Sequence, residues 1–307
     1  MKFTILGAGG TGGTLAAKLG LGGVDVSVIA RGDHLQAIQN NGLILEYADG
    51  TQNTVQIKAS DKLTETPDVM FVCVKDYGLE DAMPTITEAA EHGAVIVPLL
   101  NVIDAGKRIA AHIPEDKAGD GCIYVTAAIK EPGVIKLESD ILRVFFGYDE
   151  TLVQAAEQMR SCGIDAVCTK DIMYEKFRKF SFIAPMAACS AYYDCNAGRI
   201  QTDPEVRECF KELVAETAEI AEASGYKLPD DIVEIQLRLM DSLDPGVSAS
   251  LVKDLRAGHQ AEIEGLIQWP GDMAKRLRMS TPVFAKIAIS FTNSNLSINN
   301  LKITIEN

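Results

Sequence analysis

Apolar runs of strand length recur through the first 168 residues and then stop. "FTILG", "DVSVIAR", "DVMFVCVK", "AVIVPLLN", "GCIYVTAAI", "LRVFFG" and "IDAVC" alternate with stretches of helical periodicity, the pattern of a mostly parallel sheet wrapped by helices. From about residue 169 the apolar spacing is helical, as in "PEVRECFKELVAETAEIAEASG", which closes on Gly225 as a C-cap, and "SASLVKDLRAGHQAEIEGLIQWPGDMAKRL". A chain of 307 residues exceeds what one core usually holds. The expected architecture is therefore α/β: a doubly wound, mostly parallel sheet over residues 1–168, followed by an all-helical domain over 169–307. Between the second and third runs, "LILEYADGTQNTVQIKAS" reads as a two-stranded excursion turning at Asp49 and Gly50, extending the sheet edge or forming a flap. The closing "TNSNLSINNLKITIEN" is polar, fits neither pattern and reads as a loose tail.

Composition narrows the partners. Lysine and arginine total 29 against 43 acids, a net charge of −14, which repels nucleic acid and anionic membrane alike and leaves small molecules as the expected ligands. The start, "MKFTILGAGG", lacks the long apolar segment and cleavage site of a signal peptide, and no stretch has the roughly 18 apolar residues of a membrane span. The seven cysteines are scattered and mostly in apolar segments, as expected of reduced thiols in a cytoplasmic protein. There is no CxxC pair and no His/Cys/Asp cluster with ligand spacing, so no structural metal is expected.

Four strand ends carry the chemistry. The first runs into "GAGGTGG", which gives GxGxxG at Gly7, Gly9 and Gly12. Gly7 would allow a tight turn, Gly9 the approach of backbone to a pyrophosphate, and Gly12 close packing of helix on strand, with Gly10 and Thr11 opening a helix whose N-terminus faces the phosphates. Glycine-rich turns are common, but one between an N-terminal strand and a helix reads as a dinucleotide site. The second strand ends at Arg31, where a carboxylate would hold the ribose hydroxyls of NAD; an arginine pairs instead with the 2′-phosphate of NADP. The third and fourth deliver Lys75 and Asn101. Carboxyl ends of parallel strands are where open α/β sheets bind ligands.

With those residues assembled, the chain resembles the ketopantoate reductase family (2-dehydropantoate 2-reductases) over nearly its whole length. The resemblance lies in "ILGAGGTGG", "VIARGDHLQAIQNNGL", "FVCVKDYGLEDA", the Asn101 strand end, "YEKFRKF" with Lys179, and "SASLVKDLRAGHQAEIEGLI" with Ser250, Asp254 and Glu262. It implies a Rossmann domain followed by a helical domain, and NADPH-dependent reduction of ketopantoate to pantoate on the route to coenzyme A. It also implies Lys179 as general acid, Glu262 as its charge partner, Ser250 with Asn101 and Lys75 on the substrate, Lys75 and Asn101 on the cofactor as well, and either a monomer or a homodimer.

The lysine makes chemical sense at that place. Reducing a ketone needs hydride at carbon and a proton at oxygen, and an ammonium supplies the proton while stabilising the developing alkoxide. Lys176 and Arg178, about 300° and 100° away around the helix, read as solvated. On a straight helix Ser250 and Glu262 would lie about 18 Å apart, so a bend is expected at Ala257, Gly258 and His259. Three positions depart from the family pattern: Ile183 and Ala187 stand where relatives often carry asparagines, and Val102 follows Asn101 where glycine is common. Removing amides from a pocket lowers discrimination for a polar substrate, so a more apolar 2-oxo acid is an alternative. So are a related hydroxy-acid dehydrogenase and a non-catalytic NADP-binding sensor that lost its chemistry.

Overall fold

The computed structural model describes residues 1–294, with side chains described through residue 292. Residues 295–307, most of the expected tail, lie outside the described residues, whereas 292–294 close a helix. The chain forms two compact units, one of residues 1–100 and 104–175, the other of 101–103 and 176–307. The division falls one turn into a helix, after the last strand of the first unit and past the change of pattern that the sequence shows at about residue 168.

In the first unit, β1 (Lys2–Leu6), β2 (Asp25–Ile29), β5 (Lys58–Ser60), β6 (Val69–Val72) and β7 (Val95–Pro98) form an all-parallel sheet in the order β5-β2-β1-β6-β7. The chain leaves β1 toward β2 and later returns to β6 on the other side, so the strand order reverses at β1, where such sheets bind ligands. A second sheet contains β3 (Leu43–Glu46), β4 (Gln52–Val55), β8 (Gly121–Glu131), β9 (Val134–Gly147) and β10 (Asp165–Thr169), and is mixed: β8 and β4 run antiparallel to their neighbours. The excursion turns at Gly50 (φ +84°) as expected, and its end, β5, extends the edge of the first sheet beside β2. Its hairpin goes elsewhere: β3 joins β9, and β4 pairs with β3.

Helix α1 (Gly10–Leu21) explains the two sheets. Leu15, Ala16, Ala17 and Leu19 are all fully buried, and a helix apolar on all sides must be covered on all sides. It packs on β1 and β2 on one side and on β8, β9 and β3 on the other. A Cβ on Gly10 would lie 2.2 Å from the Ala127 carbonyl oxygen and one on Gly13 2.6 Å from Ile135, so glycines let the second sheet close onto the helix. Phe71 joins the layers, stacking on Phe3 of β1 at 5.8 Å and Phe146 of β9 at 5.6 Å. Helices α2 (Gly32–Asn41), α3 (Leu79–Glu91), α4 (Ala105–Ala110) and α5 (Glu150–Ser161) complete the unit.

The second unit is helical: α6 (Ile172–Tyr192), whose first turn belongs to the first unit, α7 (Ala197–Thr202), α8 (Pro204–Ala223), α9 (Ile232–Ser242), α10 (Ser250–Arg256), α11 (Trp269–Leu277) and α12 (Pro282–Ser294). Gly225, with φ +91°, follows the end of α8. No helix among the described residues is long and apolar enough to cross a membrane. The buried Glu216 of α8 caps α12: its two carboxylate oxygens accept from the Val283 and Phe284 N–H groups at 2.7 and 3.0 Å, the first donors after Pro282, which has none. Glu216→Ala leaves both N–H groups without that acceptor and lowers stability by about 2–4 kcal/mol, measurable by urea unfolding; a loss under about 0.5 kcal/mol would show that water replaces the cap.

Candidate active site

The glycine loop sits at the carboxyl ends of the first sheet. Backbone bonds from Gly7 N–H to the Ile29 carbonyl (3.0 Å), Cys73 N–H to the Leu6 carbonyl (2.8 Å) and Leu99 N–H to the Val72 carbonyl (2.8 Å) carry the ladder just past the four strands and bring their ends level. Gly7 has φ +99°, and a Cβ there would come within 3.0 Å of the Cys73–Val74 peptide. One on Gly12 would lie 2.0 Å from the Gly7 carbonyl oxygen, so helix and strand touch through that hydrogen. At Gly9 the direction of a Cβ is open, with no atom within 4 Å. The first turn of α1 has no acidic residue and no side-chain cap, leaving its N–H groups and positive dipole end available to an anion. A dinucleotide pyrophosphate fits this loop.

Arg31 is exposed, one residue past the Ala30 that follows β2, at the N-cap of α2. Three residues on stands His34, which sequence reasoning missed. Its Nδ1 accepts from Gly133 N–H at 3.0 Å, so the proton is on Nε2, which donates to the Ala8 carbonyl at 2.8 Å. The ring thus braces the glycine loop against the β8–β9 turn, 99 residues along the chain. No local pattern announces a contact of that separation.

Lys75 is half-buried, at the start of a short 3₁₀ turn after β6. The next residue, Asp76, is buried and accepts from Arg108 of α4 at 2.5 Å, while the other guanidinium nitrogen reaches Glu80 at 3.0 Å. The fork fixes the loop that presents Lys75. Burial pushes the thiol of Cys73, in the same loop, up to about 12, away from the thiolate form that reacts.

In the second unit the structure brings together two residues that lie 78 apart in sequence. Lys179 is 8% exposed, and its Nζ donates to Asn101 Oδ1 at 2.7 Å. The 101–103 segment, although it continues from β7, is part of the second unit. Arg178 is exposed as expected, but Lys176 is buried at 4% exposure, which corrects its reading as solvated. The reason is geometric: 300° around a helix is 60° in the other direction, so Lys176 shares the Lys179 face.

Aromatic rings hold this part of α6 in place. Phe180 meets Trp269 edge-on at 5.3 Å, and Phe177 lies 6.4 Å from Trp269 and stacks on Tyr226 at 5.5 Å. Below Lys179, Ile183 is half-buried and Ala187 buried. Ser250 is exposed as the first residue of α10, with Asp254 one turn on. That helix ends at Arg256, Gly258 turns with φ +70°, and the chain becomes helical again only near a π turn at Glu264–Gln268. The bend expected at 257–259 is present. Glu262 lies in this irregular stretch and is buried at 4% exposure. A π turn just before the Trp269–Pro270 start of α11 is the kind of helix irregularity that collects at functional sites.

The fold agrees with what comparison with known proteins finds. The ketopantoate reductase PanE/ApbA family model matches residues 3–150, and the model of the family's C-terminal part matches residues 171–289. The chain belongs to the ketopantoate reductase family. It is thus an oxidoreductase of the class acting on CH–OH groups, and ketopantoate reductases use NADPH. A 2-dehydropantoate 2-reductase of Mesorhizobium japonicum is 28% identical, covering 92% of this chain and 94% of its own. The crystal structure of 2-dehydropantoate 2-reductase from Porphyromonas gingivalis superposes with a TM-score of 0.82 at 28% identity, over 95% of this chain and 99% of that one. A D-mandelate dehydrogenase in complex with NADH and anilino(oxo)acetate has the same fold, with a TM-score of 0.86 at 20% identity over 97% of this chain and all of its own.

Proposed function

We propose that this ketopantoate reductase family member reduces a 2-oxo acid to the 2-hydroxy acid with NADPH, and that Lys179 delivers the proton to the carbonyl oxygen. The observation that carries the reading is the buried Lys179 ammonium donating to Asn101 Oδ1 at 2.7 Å. An amide oxygen accepts one N–H and orients the group without taking its proton, because a neutral amide is a poor base. An ammonium held this way can donate to a developing alkoxide and stabilise it before transfer. A non-catalytic sensor needs no such group.

NADPH supplies the hydride when bound. Gly7, Gly9, Gly10, Thr11 and Gly12 would hold its pyrophosphate at the N-terminus of α1, and Arg31 its 2′-phosphate. Arg31→Glu is expected to lower the preference for NADPH over NADH by ~10- to 100-fold, since it removes a charge-assisted contact and adds a like charge; an unchanged ratio of the two kcat/KM values would exclude Arg31 from cofactor choice. Lys75, Asn101 and Ser250 would bind the oxo acid, and Glu262 would balance the charge of Lys179.

Ketopantoate is the first substrate to test, given the family and its named relatives. The face of α6 below Lys179 supports a second reading. Ile183 and Ala187, one and two turns on, offer no hydrogen bond to a substrate hydroxyl, and a D-mandelate dehydrogenase with this fold was crystallised with anilino(oxo)acetate, whose side chain is aromatic. A matched pair decides: ketopantoate against 3,3-dimethyl-2-oxobutanoate, the same skeleton without the hydroxyl. A site that binds the hydroxyl would reject the second by on the order of 10⁴-fold, whereas an apolar one would treat them within about 10²-fold.

A further inference from the structure

The buried amide of Gln236 has a task that the fold alone does not require. On α9 the buried residues Ile232, Gln236 and Met240 recur at i, i+4 and i+8, so a glutamine occupies the middle of an otherwise apolar stripe. An amide placed there costs desolvation unless its donors are met. Gln236 Nε2 donates to Ser181 Oγ at 2.9 Å and to the Arg178 carbonyl at 3.3 Å, and Ser181 Oγ donates to that same carbonyl at 2.8 Å. Both of its partners lie in the turn of α6 that carries Lys179.

That turn is a weak point of the helix. Pro185, inside α6, has no N–H to give the Ser181 carbonyl, so one rung of the helix ladder is missing there. The back-bond of Ser181 to Arg178 is of the kind that bends helices. The Arg178 carbonyl and the Lys179 N–H belong to one peptide plane, so whatever holds that carbonyl also sets the direction in which the Lys179 side chain leaves the backbone. A tilt of about 10° there moves the end of an extended lysine by roughly 1 Å, and misplacement of that size costs on the order of 10²-fold in rate.

We infer that Gln236 is a positioning residue for Lys179: from α9 it clamps the Arg178–Ser181 turn of α6, which Pro185 weakens, and so holds the ammonium at Asn101. This rests on the reading of Lys179 as proton donor. Phe177 and Phe180, on either side of Lys179, are held by Trp269 and Tyr226, which restrains the helix sideways. Gln236 is the contact that restrains the peptide itself.

The test is a double-mutant cycle with Gln236→Leu, and with Gln236→Met as a second apolar replacement should the first fold poorly. Each is made in the wild-type and Lys179→Ala backgrounds and assayed for NADPH oxidation by ketopantoate and 3,3-dimethyl-2-oxobutanoate. In the wild-type background kcat is expected to fall ~10- to 100-fold, with NADPH affinity and melting temperature little changed. In the Lys179→Ala background the same substitution is expected to do almost nothing, because the group it positions is gone. A purely structural role would lower the residual rate equally in both backgrounds, and that result overturns the inference. So does a wild-type kcat in both Gln236 variants while Lys179→Ala is slow. If Lys179→Ala itself turns over at the wild-type rate, the proton-donor reading fails, and the inference with it.

Discussion

Lys179→Ala is expected to lower kcat for 2-oxo acid reduction by about 10²- to 10⁴-fold, the range that a positioned general acid supplies, while NADPH binding stays within a few-fold of wild type. The separation follows from the roles: the glycine loop and Arg31 would hold the cofactor, and Lys179 would act on the oxo acid. Asn101→Ala should resemble it in kind but fall short in size, since the ammonium remains and only its 2.7 Å acceptor is lost. Stopped-flow measurement of NADPH oxidation under single-turnover conditions reads the chemical step directly. Loss of NADPH binding in Lys179→Ala, or a full rate in it, would each exclude the assigned role.

The second large effect lies in the glycine loop, where two substitutions by alanine have opposite signatures. At Gly12 the added methyl would lie 2.0 Å from the Gly7 carbonyl oxygen and 2.8 Å from Ile5, backbone and buried side chain that cannot swing away. Overpacking of that kind costs about 1–3 kcal/mol or more. Gly12→Ala should therefore lower stability and NADPH affinity together. At Gly9 the methyl meets no protein atom, and Gly9→Ala should melt like wild type yet bind NADPH at least ~10-fold more weakly, if the pyrophosphate occupies that space. Thermal unfolding with and without NADPH separates the two: wild-type stabilisation by NADPH in Gly9→Ala would place the pyrophosphate elsewhere.

How much was legible beforehand differed by the range of the interaction. Every apolar run that reads as a strand is one, because alternation and burial are local properties. Their division into two sheets was not legible, since periodicity marks a strand but not its partner; the clue was α1, too apolar and too glycine-rich for a helix covered on one side. The break at Gly258 could be read because glycine weakens a helix. The burial of Lys176 was misjudged through the helical angle. The family resemblance offered Glu262 as the charge partner of Lys179 and did not name the bond to Asn101; that bond, like the contacts of His34 and Gln236, joins single polar side chains far apart in sequence, and no local pattern names such a partner. Gln236 could have been noticed as a polar residue in an apolar i, i+4, i+8 stripe.

In this protein, hydride from NADPH is expected to reach carbon 2 of a 2-oxo acid. The direct measurement uses NADPH carrying deuterium at both C4 positions, with ketopantoate and 3,3-dimethyl-2-oxobutanoate as acceptors, and mass spectrometry of the products. One deuterium in the 2-hydroxy acid for each NADPH oxidised is the predicted result. Tight NADPH binding with no labelled product from either acid would contradict it.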